Sequence, residues 1–278
     1  LIMDINYPNS EDTEPSEDRS REALGEVTRR VDQAQKFSNG WHDNIVKWRK
    51  LYNLEHYKDD AKLGEKRFTD PTYTNVVDIA VGVLQGNEKK WRAVGWEPGV
   101  QEEAKTSHIE KYLSGILDIN SDRHEYDIEF ETDLHFARDG GACLFVCWNK
   151  DYAELGLQHD SETGQKVYTE MPIDSRVIDP LTINMLSGGL GRWSCVAKVE
   201  RMSVYDVESL YDIKLEKWKY LSPADKLQQF GNFIDYWDVA MAVGVEGKKS
   251  QVVRNAVLFD EDFVIGLRTM PGYSDLPY

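Results

Sequence analysis

The chain has 278 residues, 41% of them apolar, enough for one large domain or two smaller ones with cores of their own. Its formal net charge is −16, and Lys89-Lys90 and Lys248-Lys249 are its only lysine pairs. Gripping phosphates takes a concentrated basic surface, so sequence-specific nucleic-acid binding is disfavoured, whereas an acidic wall that DNA slides past without sticking is allowed. Cys143, Cys147 and Cys195 are too few, and odd in number, for a disulfide framework, which points to synthesis in a reducing cytoplasm. No apolar run approaches the ~20 residues that span a bilayer, and no signal peptide opens the chain. The expectation is a soluble protein with no membrane partner.

From Asp4 to Asp18 the chain is acidic, carries Pro8 and Pro15 and has almost nothing apolar after Ile5. Residues 1–19 therefore read as a solvated arm. Helical periodicity begins at Ser20, with Leu24, Val27, Val31 and Ala34 on one face. Ser38-Asn39-Gly40 is expected to break that helix. A second helix then carries an aromatic stripe of Trp41, Ile45, Trp48 and either Leu51 or Tyr52. After a break at Asp70-Pro71-Thr72, Val76, Val77, Ala80, Val83 and Leu84 predict a short helix ending near Gly86-Asn87. Trp91, Val94 and Trp96 read as a short strand closed by Pro98-Gly99. A longer helix from Gln101 carries Ile109, Tyr112, Leu113, Ile116 and Leu117. Another over 126–138 sets Phe130, Leu134 and Ala137 on one face, and Asp139-Gly140-Gly141 stops it, because glycine accepts the left-handed conformation.

The texture then changes. The apolar run Ala142-Cys143-Leu144-Phe145-Val146-Cys147-Trp148 reads as a buried strand, with Cys143 and Cys147 on one face. Glu162-Thr163-Gly164-Gln165 is a turn between two strands, the second over 167–172. Further strands are expected over 182–185 and 193–201. Ser203 caps a helix to Tyr211, and 214–219 and 223–230 are also helical, with Pro223 in a first turn. Strands over 233–245, 251–258 and 263–267 form an antiparallel set, with a turn at Glu246-Gly247-Lys248. Helices, then strands, then a helical segment, then strands predict an α+β fold. The divisions are an arm (1–19), a helical region (20–140), a β-rich region (141–202), a helical segment (203–230) and a β-strand region (231–278). The turn-rich end at Pro271 to Tyr278 and the opening Leu1 are expected to mark a piece of a longer polypeptide.

Chemistry is sparse. None of the histidines sits in H-E-x-x-H or pairs with cysteine at zinc spacing. His124 and His135, at or on a helix, are expected to be ordinary polar surface residues. Gly188-Gly189-Leu190-Gly191 is followed by a strand and by no Gly-Lys-Ser/Thr, so a plain loop is expected there and not a phosphate cradle. Glu129, Glu131 and Asp133 read as a solvated helix face. The one enzyme candidate is Asp238 with Glu246-x-Lys248, an arrangement with which metal-dependent nucleases hold Mg²⁺ and activate water. Glu246 and Lys248 flank Gly247 at a hairpin tip, where charged residues are ordinary. The expectation is a protein that is not an enzyme, with no catalytic, cofactor or metal residue to assign.

A family resemblance rests on an ordered series of motifs across 41–278. Pro71-Thr72-Tyr73-Thr74-Asn75-Val76-Val77 through Leu84, then Trp91-Arg92-Ala93-Val94-Gly95-Trp96-Glu97-Pro98, resembles the early region of tailed-phage portal proteins of the podovirus type. Ala137-Arg138-Asp139-Gly140-Gly141 into the apolar run to Trp148 is similar to that family's helix, glycine turn and strand. Met171-Pro172 to Asp179-Pro180 looks like its proline-bounded strand and Asp-Pro turn. Arg201 with the helix to Tyr211, then Tyr236-Trp237, keeps the same order. The resemblance implies a portal fold with a helical wing-like region over 20–140, a stem-like segment over 203–230 and a clip-like or continuing-wing region from 231. It implies a homo-oligomeric ring, commonly a dodecamer, at one capsid vertex of the virion, made in the host cytoplasm. Its partners would be the terminase large subunit, the major capsid or scaffold protein, a head-tail adaptor and double-stranded DNA in non-specific passage. Two alternatives stay open: another virion structural protein such as a head-tail adaptor, and the nuclease built on Asp238.

Overall fold

Helix α1 spans Arg21–Tyr52 without interruption, so Ser38-Asn39-Gly40 does not end it. This corrects the expected break. Ser38 is buried, and its hydroxyl accepts the Met185 N–H at 2.9 Å and donates to the Met185 carbonyl at 3.4 Å. Tertiary contact here outweighs weak local propensity. The computed structural model that shows this describes residues 17–55, 70–86, 100–148, 158–159, 166–167, 173–189, 192–243, 249–270 and 276–277. The expected strand over 91–96, the strand over 168–172, most of the acidic arm and the hairpin tip at Glu246 to Lys248 lie outside these residues.

The remaining helices are α2 (Thr72–Gly86), α3 (Val100–His124), α4 (Ile128–Asp139), α5 (Val204–Tyr211) and α6 (Pro223–Gln228). The strands are β1 (Cys143–Trp148), β2 (Gln158–His159), β3 (Lys166–Val167), β4 (Ile173–Ile178), β5 (Ile183–Gly189), β6 (Arg192–Ser203), β7 (Phe230–Val243), β8 (Lys249–Phe259) and β9 (Asp262–Thr269). All pairings are antiparallel, so the fold is α+β.

The chain forms two compact units, one of residues 1–40 with 182–276 and one of 41–181 with 277–278. In the first, β5 to β9 make a five-stranded meander in chain order, with α5 and α6 inserted between β6 and β7. Side chains alternate across a strand, and both faces of this sheet are covered. Ala23, Val27, Val31 and Ala34 of α1 pack with Cys195, Ala197, Tyr236, Ala256 and Leu258. Val204, Val207, Leu215 and Trp218 pack with Phe233, Val257, Phe259 and Val264. Adjacent residues Val257 and Leu258 thus serve opposite cores. Ser203 caps α5 by accepting the Asp206 N–H at 3.1 Å, and Pro223 opens α6 behind the Ser222 cap, as the sequence predicts. The expected helix over 214–219 is a single 3₁₀ turn, Glu216–Trp218. At the sheet edge, Asp18 exchanges two backbone hydrogen bonds with Leu267 of β9, 2.8 and 2.9 Å. Gly266 lets that approach occur, because a Cβ there would sit 3.0 Å from the Asp18 carbonyl.

The second unit holds the C-terminal part of α1, helices α2 to α4, the small β2–β3 pair and the β1–β4 pair, in which Cys143 faces Ile178 and Trp148 faces Ile173. Strand β4 has no counterpart in the periodicity reading; only the family resemblance marked it. Strand β1 is less buried than expected: Phe145 is buried while Val146 is 42% exposed, since one partner strand and one packed face cannot cover both sides. The Val146 N–H donates to the Pro277 carbonyl at 2.8 Å. In α4 the expected stripe fails in part. Ile128, Asp133 and Asp139 are buried and Phe130 is exposed. Helix α4 is closed as predicted by Gly140 at φ +72°. A Cβ at Gly140 would lie 3.0 Å from the Trp48 ring. Gly140→Ala is therefore expected to destabilise this unit by about 1–3 kcal/mol, read as a lower denaturant midpoint for the near-ultraviolet Trp signal; an unchanged midpoint would refute the requirement.

Candidate functional site

Each unit contains a carboxylate buried among arginines. In the first, Asp238 on β7 is fully buried. Arg254 of β8 forks onto it through Nε to Oδ1 at 2.8 Å and Nη2 to Oδ2 at 2.5 Å. This pairing follows from register, since Asp238 lies opposite Arg254 in the ladder. Arg30 of α1 donates to Oδ2 at 2.7 Å, and the Tyr236 hydroxyl donates to the same oxygen at 2.8 Å. Glu26, one helical turn before Arg30, takes the other side of Arg254 at 3.0 Å. Burial, then the Asp238 charge, pushes the Tyr236 phenol far up, so it keeps the proton that it donates to Asp238. Oδ2 accepts from Arg30, Arg254 and Tyr236, and Oδ1 accepts from Arg254. That geometry suits a structural anion held by cationic and hydroxyl donors. Its two expected partners for nuclease chemistry, Glu246 and Lys248, lie outside the described residues.

In the second unit Asp139, at the end of α4, is likewise fully buried. It accepts from Arg49 Nη2 at 2.6 Å, from Arg138 Nε at 2.9 Å and from His135 Nδ1 at 2.7 Å. Arg49 also reaches Asp179 with two bonds of 3.0 and 2.7 Å. Burial raises the Asp139 carboxyl, but the hydrogen bonds from His135, Arg138 and Arg49 outweigh it and hold the group well below the usual carboxylate range. Asp179 is lowered in the same sense: burial opposes, and Arg49 and the Leu181 N–H prevail.

Two further expectations are corrected here. His135 and His124 are not surface residues; their side chains are 12% and 19% exposed, and His124 Nε2 lies 2.8 Å from Asp174 Oδ1. The supposed solvated face of Glu129, Glu131 and Asp133 is broken by Asp133, which is buried and accepts from Gln85 of α2. Cys143 and Cys195 are poor nucleophiles: burial pushes Cys143 up to about 11 and Cys195 up to about 12, and a thiol must ionise to react. Gly188 and Gly189 end β5 rather than opening a helix, so no dipole faces an anion there.

The remaining surface features are electrostatic and apolar. Residues 19–40 and 182–276 carry acidic and basic residues in equal number, so the whole net charge falls on residues 1–18 and 41–181. Part of it lines an open concavity of about 640 Å³ formed by Asp118, Ser121, Asp122, Glu125, Tyr126, Asp127 and Glu129. Several of its polar atoms already serve the fold. Asp127 caps α4 through the Phe130 N–H, Ser121 accepts the Ile128 N–H, and the Tyr126 hydroxyl accepts the Val177 N–H. Among the described residues no group of three or more His, Cys, Asp and Glu is placed to hold a metal ion, and no helix is long and apolar enough to cross a membrane. Helix α2 is apolar on two sides. Val77 and Val81 are buried, while Val76, Ile79 and Val83 are 58%, 66% and 58% exposed. The exposed Val76 and Ile79 lie one helical turn apart and have the character of an interaction surface.

Sequence reasoning picked out Asp238 and Asp139 for other reasons, as a nuclease acid and as a helix stop, and missed Arg30, Arg49, Glu26 and Arg254. Only the i to i+4 spacing of Glu26 with Arg30 was available as a signal. Compared with known proteins, no family model matches the chain, and no curated protein matches it either.

Proposed function

We propose that this chain is part of a tailed-phage portal subunit, a component of a homo-oligomeric ring through which double-stranded DNA is packaged and ejected, with no catalytic role. The observation that carries the reading is the order of elements under the resembling motifs. Helix α2 starts behind Asp70-Pro71, α4 turns through Gly140-Gly141 into β1, β4 ends at Asp179-Pro180, and β6 passes Arg201 into α5. Three properties agree with it: the acidic surplus, which guides DNA without gripping it; the exposed Val76 and Ile79 on α2, suited to contact between copies; and carboxylates spent on structure. In this reading the terminase, capsid or scaffold protein and head-tail adaptor are partners of the ring, and the virion vertex is its place.

The test is particle mass and electron microscopy of the full reading frame that contains this chain. Rings with a central hole are expected, and Ile79→Asp is expected to abolish them while leaving the circular dichroism spectrum unchanged. A monodisperse monomer at high concentration would overturn the reading. The nuclease alternative would need Mg²⁺-dependent DNA cleavage that Glu246→Ala removes.

A further inference from the structure

We infer that the stretch of α1 from Asn39 to Asn44 is a facultative break, at which the helix opens locally while each half stays seated in its own unit. The inference goes beyond the portal reading and does not depend on it. It starts from packing. Helical stability in a protein comes chiefly from the buried face, and α1 buries Ala23, Val27, Val31, Ala34 and Ser38, then nothing until Ile45. Residues 39–44 contain no buried side chain, and Asn39, Gly40, Asp43 and Asn44 are exposed.

The same stretch concentrates poor helix formers. Asn, Asp and above all Gly lower helix stability relative to Ala, and here four of them fall within six residues. Gly40 is not there for space, since a Cβ would meet nothing within 4 Å. It is not there for backbone sign either, because its φ is not positive. Its one physical effect is to make opening cheaper. On each side the helix is tied down. Ser38 holds the Met185 backbone through both of its polar groups, and Arg49 holds Asp139 and Asp179. The boundary between the compact units falls between Gly40 and Trp41, inside this stretch, in which Trp41 and His42 are half-buried and no side chain is fully buried.

Gly25 supplies an internal control. It is the same residue in the same helix, also with nothing within 4 Å of an added Cβ, but it sits between buried Ala23 and Val27. Amide hydrogen exchange of the chain distinguishes the two positions. We expect amides 40–44 to exchange faster than amides 27–34 and 46–50. Gly40→Ala should slow exchange at 40–44 by about fivefold and leave 27–34 unchanged, while Gly25→Ala should leave 40–44 as in the unsubstituted chain. Equal protection along α1, or equal slowing of 40–44 by the two substitutions, would overturn the inference.

Discussion

Asp238→Asn is expected to destabilise the five-stranded unit by about 3–5 kcal/mol, the cost of removing one partner from a buried, hydrogen-bonded ion cluster. The carboxylate is fully buried while Arg30 and Arg254 keep 25% and 20% of their side chains exposed. The asparagine would present one acceptor and one amide donor to guanidinium groups that only donate. With its oxygen in the Oδ2 place the asparagine would still serve Arg30 and the Tyr236 hydroxyl as a neutral, weaker acceptor. Its amide N–H would face Arg254 Nε, which would lose its acceptor although Arg254 keeps Glu26 at 3.0 Å. Tyr236 is itself part of the core under α1, so the loss should spread into helix–sheet packing. Denaturant unfolding followed by the protection of amides 27–34 checks this. A change below about 1 kcal/mol would mean that the cluster merely balances its own desolvation. The same expectation makes Asp238 a poor probe of nuclease activity, because a loss of cleavage would follow from unfolding alone. Glu246→Ala is the clean test.

Legibility tracked how local each determinant was. The Ser203 cap, Pro223 in a first turn, the Gly140 stop and the α1 stripe from Val27 to Ala34 are written in neighbouring residues, and each stands where the sequence places it. Determinants supplied from far along the chain were not readable. Ser38 stays helical because Met185, 147 residues away, takes both of its hydrogen bonds. The faces of α4 were misassigned because Asp133 and Asp139 are acidic yet buried, and a polarity pattern counts them as solvent-facing. Nothing near Asp133 in sequence names Gln85, and nothing near Asp139 names Arg49. Strand β4 escaped periodicity because Asp174 and Arg176 interrupt it; its two buried residues are Ser175 and Ile178. Asn120 of α3 bonds the Ser175 hydroxyl at 2.9 Å, a polar contact in a place where a pattern reader looks for an apolar one. The candidate sites are of this long-range kind, which explains why the sequence offered their members singly and under other headings.

Asp139 carries the largest pH effect expected of this molecule. Its folded carboxyl is held below the ordinary value, so the unfolded chain binds its proton at higher pH than the folded one does. The stability this group contributes is complete above the unfolded carboxylate value and is lost as pH falls through the folded one. Asp179, lowered through the shared Arg49, adds to the trend with the same sign. The helical unit should therefore hold its stability at neutral pH and lose it on acidification below about pH 4, with the Trp48 environment as reporter, since Trp48 lies against the turn that follows Asp139. Asp139→Asn should cost about 3 kcal/mol at neutral pH, the low end of the range for breaking a buried pair, because Arg49 keeps Asp179. It should also flatten the acid limb of the stability curve, since the asparagine does not titrate. Denaturant midpoints across the acid range for both proteins separate this from simple damage to the fold: a merely destabilised unit keeps the original slope at lower stability, whereas loss of the titrating group reduces the slope to what Asp179 and the other carboxylates supply. Parallel curves would show that the acid sensitivity comes from other carboxylates and that Asp139 does not set it.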